Sequence, residues 1–234
     1  NDDESQYLSW TPAAAGNRRT WTWSAWVKRG NLNITSYIFF AYSGNSDAGF
    51  MRFEWDATNT LRLRRWSGHF FHTTRVLRDP SAWYHIVIEV DTTQATASDR
   101  LNLYINGEKE TDFSLENYPT LNEELPINNN IRHNLGSSDG YSAGSYMDGY
   151  LSDINFIDGQ ALDASSFGQF TNGYWEAKDY AGTYGTNGFH LTFQDDVVSE
   201  GFNTVTYRGT GATQSISGLG FEPDLVWFKS RNTA

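Results

Sequence analysis

The chain has 234 residues, a formal net charge of -11 and a sequence pI near 4.8, and it contains no cysteine. That charge repels nucleic acid and anionic membranes, and the missing thiols exclude a disulfide framework, thiolate metal sites and a cysteine nucleophile. Aromatic residues reach 16% beside 21 glycines, a balance that suits short strands and tight turns, so a large all-β unit is expected in place of a helical one.

In chain order, Tyr7 to Trp10 reads as a first short strand, and Thr20 to Lys28 as a second. In the second, Trp21, Trp23, Ala25 and Val27 share one face as core, while Thr20, Thr22, Ser24, Trp26 and Lys28 share the other, expected to line a shallow groove. Tyr37 to Tyr42, Phe50 to Trp55 and Thr60 to Trp66 follow as a meander, joined by Ser43-Gly44-Asn45 and Asp56-Ala57-Thr58-Asn59, which are turn chemistry. The run from His69 to Val76 alternates poorly but is expected to pair back as a hairpin.

The clearest pair of strands is Trp83 to Asp91 and Arg100 to Ile105. Tyr84, Ile86, Ile88 and Val90 alternate with polar neighbours broken only by Val87, and Leu101, Leu103 and Ile105 alternate likewise. Asn106-Gly107 tolerates the two positive φ angles of a type I′ turn, so Glu108 to Phe113 is expected to return along the same sheet. Tyr118 to Asn130 and Ser137 to Ser145 read as loops, with Tyr141 and Tyr146 as candidate contact residues. Asp163 is placed as the N-cap of a single helical turn over Ala164 to Phe167, and Phe189 to Phe193 as the last strand of the unit. The domain is drawn over 1–200. Residues 201–234 form a Gly-rich linker with extra strands at 202–208 and 225–229, the start of a further β module or a docking tail.

The W-x-H-hydrophobic opening at Trp83, the closing Asp91 and the Y-x-N-G of Tyr104 to Gly107 resemble the central hairpin of laminin-G-like, concanavalin A-like jelly rolls. Asp148 to Phe156 followed by Gln160-Ala161-Leu162 is similar to the last core strand and closing turn of that family. The longer phrases Asp2 to Ser9, Arg78 to His85, Asp91 to Ser98 and Phe156 to Leu162 resemble laminin-G-like modules of marine bacteriophage virion proteins. The resemblance spans roughly Tyr7 to Phe193. It implies an antiparallel β-sandwich and a virion or extracellular location, with virion protein chains as partners and homo-oligomers possible.

Three lines of chemistry follow. If the hairpin after Trp66 closes, Arg62, Arg64, Trp66, His72 and Arg75 come together as aromatic rings beside planar cationic donors. This pattern suits a cell-surface glycan, acidic or neutral, since rings stack on sugar faces and guanidinium forks hold hydroxyls or carboxylates. The bland alternative has these arginines pairing with the 28 acidic residues, in a structural virion module that binds protein only. Some relatives in the resembled family bind Ca²⁺, and Asp139, Asp148 and Asp153 occupy the corresponding late part of this chain, without a fixed-spacing loop motif. Its hydrolytic branch carries E-x-D-x-x-E along one strand. Here Glu89-Val90-Asp91 matches only in part, because position 94 is Gln. No nucleophile elbow, H-E-x-x-H, Walker A or dinucleotide fingerprint appears. The expectation is therefore a non-enzymatic chain without a required cofactor, without nucleic-acid binding or membrane insertion.

Overall fold

The computed structural model describes residues 5–141, 146–193 and 210–213. The chain divides into two compact units, Asn1–Thr192 and Phe193–Ala234, and every element below belongs to the first. The strands expected at 202–208 and 225–229, and the boundary near 194–201, lie outside the described residues.

Seven strands form one antiparallel sheet: β1 (Leu8–Trp10), β3 (Ser36–Tyr42), β4 (Phe50–Trp55), β5 (Leu61–Arg65), β6 (Gly68–Thr73), β10 (Phe113–Glu116) and β11 (Arg132–Leu135). Their spatial order is β1-β11-β3-β4-β5-β6-β10. Six more form the second sheet: β2 (Thr20–Arg29), β7 (Trp83–Asp91), β8 (Leu101–Ile105), β9 (Glu108–Lys109), β12 (Gly149–Asp158) and β15 (Phe189–Leu191), in the order β15-β12-β2-β7-β8-β9. A separate hairpin pairs β13 (Gly168–Thr171) with β14 (Tyr174–Ala177). The expected antiparallel sandwich is what the chain forms.

The core lies between the two sheets, where period-two alternation places it. Trp21, Trp23, Ala25 and Val27 of β2 are fully buried, as are Phe53 and Trp55 of β4 and Ile86 and Ile88 of β7. Trp23 joins the layers, stacking on Phe39 at 5.8 Å and meeting Phe53 edge-on at 5.7 Å. The Asn106-Gly107 turn forms as expected, with φ of 51° and 84°. Gly107 is also required by contact, because a Cβ there would stand 2.3 Å from the Trp175 ring. Asp163 caps its single turn by accepting a hydrogen bond from the Ser165 amide.

Three expectations are corrected. The hairpin after β5 stops at Thr73 and does not run to Val76: Thr74 N–H turns to the Asp112 carbonyl and Leu77 N–H to the Asn59 carbonyl, so the backbone leaves the ladder. The return from Asn106-Gly107 covers only Glu108–Lys109 in the same sheet. The chain then crosses to the other sheet, where Phe113–Glu116 pairs with β6. Finally, Thr22 and Ser24 do not line an open groove, because both are fully buried. The Thr22 hydroxyl binds the Gln160 carbonyl and the Leu162 amide. Beside them Val87, Ile157, Ala164 and Phe167 form a second apolar cluster against Trp175 of the β13–β14 hairpin.

Candidate functional site: the guanidinium face of the seven-stranded sheet

Alternation that sends Leu61 and Leu63 inward sends Arg62 and Arg64 outward, and the same rule places Arg52 and Glu54 of β4 on that outer face, where both are buried among the neighbouring side chains. The register then sets the neighbours: Arg52 opposite Arg64, Glu54 opposite Arg62, Arg62 opposite His72, and Arg64 opposite His69. Four of the expected site residues, Arg62, Arg64, Trp66 and His72, therefore share one face, and Tyr141 reaches it from its loop.

Charge is distributed unevenly among these groups. Glu54, fully buried, takes Arg52 Nε at 2.7 Å and Arg62 Nη2 at 3.0 Å. Arg62 also reaches Asp56 at 2.7 Å, so it bridges two carboxylates. Burial pushes the Glu54 carboxyl above its ordinary range, against the pull of Arg52 and Arg62. Arg52 donates further to the Tyr37 hydroxyl at 2.6 Å and lies over the Tyr37 ring. Arg64 differs from both. Among the described residues it has no hydrogen bond or ion pair, and its Nε is buried without a partner. Burial first, then Arg52, lowers its affinity for its proton, and the nearby Glu54 carboxylate opposes that shift.

The histidines follow the same field. Burial, then Arg64 and Arg62, lowers His69 to about 4, so it is neutral near pH 7, and its Nε2 is buried without a partner. His72 Nε2 shares a hydrogen bond of 2.8 Å with the Thr60 hydroxyl, and burial lowers its pKa as well. One turn of the pleat beyond Arg64, Trp66 is 43% exposed. It meets Phe50 edge-on at 5.6 Å and Tyr141 at 6.5 Å. Tyr141 also packs on Phe40, Tyr42 and Phe50, which fixes its ring as a wall of the aromatic end. The face thus offers a planar cation outside any ion pair among the described residues and a neutral imidazole on paired strands, with an exposed indole on the turn two residues beyond Arg64. Such a set can hold an anionic group bidentately beside a stacked ring.

Arg75 does not belong to this face. Because β6 ends at Thr73, Arg75 points to the far edge and pairs with Glu110 at 3.2 Å and Glu108 at 3.6 Å. The three aspartates expected as calcium ligands are also separated by their partners. Asp139 is engaged by Arg132 and by the Tyr7 hydroxyl at 2.8 Å, Asp148 lies against Gly30, and Asp153 meets His190 Nε2 at 2.5 Å. Among the described residues no three His, Asp or Glu side chains gather as a metal site. Arg52, Glu54, Phe50 and His69 were missed as members of the face. The signal was present in Phe50-x-Arg52-x-Glu54, whose alternation mirrors Arg62-x-Arg64-x-Trp66, but only the strand register brings the two together.

The six-stranded sheet holds the other groups with chemical promise. Ser24 Oγ and His85 Nε2 are 2.9 Å apart, the spacing of a nucleophile and its base. Trp175 Nε1–H, however, donates to His85 Nδ1 at 3.0 Å, so the proton resides on Nε2 and His85 donates to Ser24. In that tautomer the imidazole has no lone pair for the Ser24 proton. Glu89 accepts from Tyr104 OH at 2.7 Å and Asn102 Nδ2 at 3.1 Å, while Asp91 caps its own turn through Thr93 and Gln94. The partial E-x-D motif is occupied by these contacts. No described helix is long and apolar enough to cross a membrane.

Comparison with known proteins gives two family matches. Residues 198–234 match a domain of unknown function (DUF7483), and residues 2–166 match the concanavalin A-like lectin/glucanases superfamily model Laminin_G_3. No curated protein matches the chain. Among solved structures it is similar to a heptameric SAP-like pentraxin from Limulus polyphemus, at 20% identity and a TM-score of 0.48 over 67% of this chain and 70% of that one. It is also similar to domain 4 of an extracellular arabinanase from Geobacillus stearothermophilus, at 19% identity and a TM-score of 0.46 over 64% of this chain and 65% of that one. A Trypanosoma rangeli sialidase shows 15% identity and a TM-score of 0.46 over 63% of this chain but only 22% of its own. The family match covers well over half of the sequence: the chain belongs to the concanavalin A-like lectin/glucanases superfamily.

Proposed function

We propose that this chain is a non-catalytic adhesion module of a virion or comparable extracellular assembly, and that it recognises an acidic cell-surface glycan on the outer face of the seven-stranded sheet. The observation that carries the reading is Arg64, a partly buried guanidinium that makes no ion pair among the described residues and whose Nε has no hydrogen-bond partner, in a chain of net charge -11. An unpaired, desolvated cation is unfavourable in the free protein, and a carboxylate or sulfate on a sugar would relieve it with a charge-assisted, bidentate contact. Trp66, exposed beside it, supplies the stacking surface. Family membership and the phage-type phrases from Asp2 to Ser9 and Arg78 to His85 support the adhesion setting.

The test is a glycan array on the folded chain, comparing sialylated, uronic-acid and sulfated glycans with their neutral counterparts. Acidic glycans are expected to bind, with affinity falling as salt rises, and Arg64→Ala and Trp66→Ala are each expected to weaken binding by about tenfold or more. Acidic binding untouched by both substitutions removes the site. No binding to any glycan removes the adhesive reading in favour of a purely structural module.

A further inference from the structure

We infer that Asn172 is a site of spontaneous covalent modification: its side-chain amide condenses with the backbone nitrogen of Gly173, and the aspartyl or isoaspartyl residue that results loosens the β13–β14 hairpin over the six-stranded sheet. The inference involves neither the guanidinium face nor a bound sugar. An Asn-Gly step is the least hindered one for this reaction, because glycine brings no Cβ to the attacking nitrogen. The sequence holds three such steps, Asn106-Gly107, Asn172-Gly173 and Asn187-Gly188. By dipeptide the three are equivalent, and the fold separates them.

The Gly173 nitrogen gives its proton to solvent base and attacks the carboxamide carbon of Asn172. A C–N bond forms there, the bond to the side-chain nitrogen breaks, and that nitrogen leaves as ammonia with a proton from solvent. Water then opens the cyclic imide at either carbonyl, giving aspartate or isoaspartate, the latter with an extra methylene in the main chain. Nothing is oxidised or reduced, and water is the only co-reactant. The step needs a carboxamide free to turn towards the next nitrogen and a backbone able to leave its turn, since Asn106 and Asn172 are both left-handed, with φ of 51° and 52°.

Asn106 meets neither condition. Its Oδ1 accepts from the His85 amide at 2.8 Å, its own N–H donates to the His85 carbonyl at 2.8 Å, and its turn closes strands of the six-stranded sheet. Asn187 is held as firmly: its Nδ2 donates to the Ala14 carbonyl and to Asn128 Oδ1, each at 3.0 Å, and its N–H to Asp158 at 3.1 Å. Gly188 is enclosed too, since a Cβ there would collide with the Tyr184 carbonyl. Asn172 is exposed, its carboxamide makes no hydrogen bond among the described residues, and a Cβ on Gly173 would meet nothing within 4 Å. Its turn closes a ladder of two strands that joins neither large sheet, and such a hairpin opens at a lower free-energy cost than a strand pair inside a sheet. Directly behind the turn, Thr171 pairs with Tyr174 and Phe170 with Trp175, whose indole bonds His85 and packs on the second apolar cluster. An inserted methylene shifts that register, so the cover loosens where Trp175 holds it.

The experiment holds the folded full chain in mildly alkaline buffer, digests samples over time and quantifies aspartyl and isoaspartyl peptides by chromatography and mass spectrometry, with a urea-unfolded chain alongside. In the folded chain, conversion at Asn172 is expected to run about tenfold or more faster than at Asn106 or Asn187, and the three rates should converge to within about threefold on unfolding. Hydrogen exchange then compares the isolated isoaspartyl form with the unmodified chain. Amides over 168–177 should exchange about tenfold faster in the modified form, and by a smaller factor in Asn172→Asp, which adds the charge without the methylene. A folded-state rate at Asn172 no greater than at the other two overturns the site. So does a preference for Asn172 that survives unfolding undiminished, since local sequence would then set the order. Unchanged exchange over 168–177 in the isoaspartyl form overturns the effect on the hairpin.

Discussion

The two sheets have similar inner faces and opposite outer ones. Both inner faces are built by strict alternation of Trp, Phe, Leu, Ile and Val, and both are dry. The outer face of the six-stranded sheet is sealed by more chain, with Phe167 and Trp175 packing on Val87 and Ile157 and leaving only one end open. The outer face of the seven-stranded sheet is instead covered largely by its own long side chains, with Arg52 and Arg62 paired to one fully buried glutamate. A face roofed by packed aromatics is closed to ligands, whereas one roofed by charge leaves its unmatched member available. The comparison explains why Ser24 and His85, chemically promising by type, are buried under packed chain, while Arg64 keeps part of its surface exposed.

The largest break in this contrast should come from Glu54→Ala. It leaves Arg52 and Arg62 without their shared buried carboxylate, and loss of one partner of a buried pair costs about 3–5 kcal/mol. Urea denaturation should show that loss, and Glu54→Ala combined with Arg52→Met should recover part of it. A drop below about 1 kcal/mol would mean that solvent already screens this face.

Acid should affect both sheets together, through their buried histidines. His85 is locked by Trp175 and Ser24, and His133 accepts from the Asn128 amide while donating to the Ile131 carbonyl. Burial lowers both to about 4 from an ordinary value of 6.5. Their folded values lie below the unfolded one, so the fold favours the neutral forms. Stability is then full above pH 6.5, falls as pH drops from 6.5 to 4, and levels off below, by about 3 kcal/mol for each histidine. Denaturation midpoints between pH 7 and 4.5 check this. Carboxylates held low, such as Asp47, Asp56 and Asp91, act only in a more acidic window, so they do not mask the slope. His69, lowered to the same value, adds to the slope, so His133→Gln is expected to remove about a third of it.

The smallest stability effect belongs to Arg64→Ala. No ion pair is lost, so the unfolding free energy should stay within about 0.5 kcal/mol or rise slightly, even as the proposed acidic-glycan binding weakens by about tenfold or more. A clear destabilisation would show that the guanidinium is held by packing and is a structural group, which would weaken its assignment as an anion receptor.

Much of the sandwich was legible because strand alternation is a local property. Trp21-x-Trp23-x-Ala25-x-Val27 declares its buried face whatever it packs against, and Asn106-Gly107 declares its turn through φ alone. The misreadings fall where a competing contact intervenes from far along the chain. Gly168–Ala177, unremarked as a hairpin, covers β2 from about 150 residues away, and so turned an expected groove into a second core. Arg75 was grouped with Arg62 by sequence proximity, yet Glu108 and Glu110 claim it once β6 ends. Trp83 was read as a strand opening, and its pairing with Tyr150 across Lys28 is visible only in the register of three strands.

By itself, then, the sequence determined the all-β class, the inward faces of the principal strands, the Asn106-Gly107 turn and the net negative charge, because each depends on neighbours a few residues apart or on summed charge. Only the tertiary structure decided which arginines pair with carboxylates, which tautomer His85 holds and which aromatic rings are exposed. Those outcomes are differences between near-cancelling long-range contacts, and a residue's partner across a sheet is set by register that no single strand encodes.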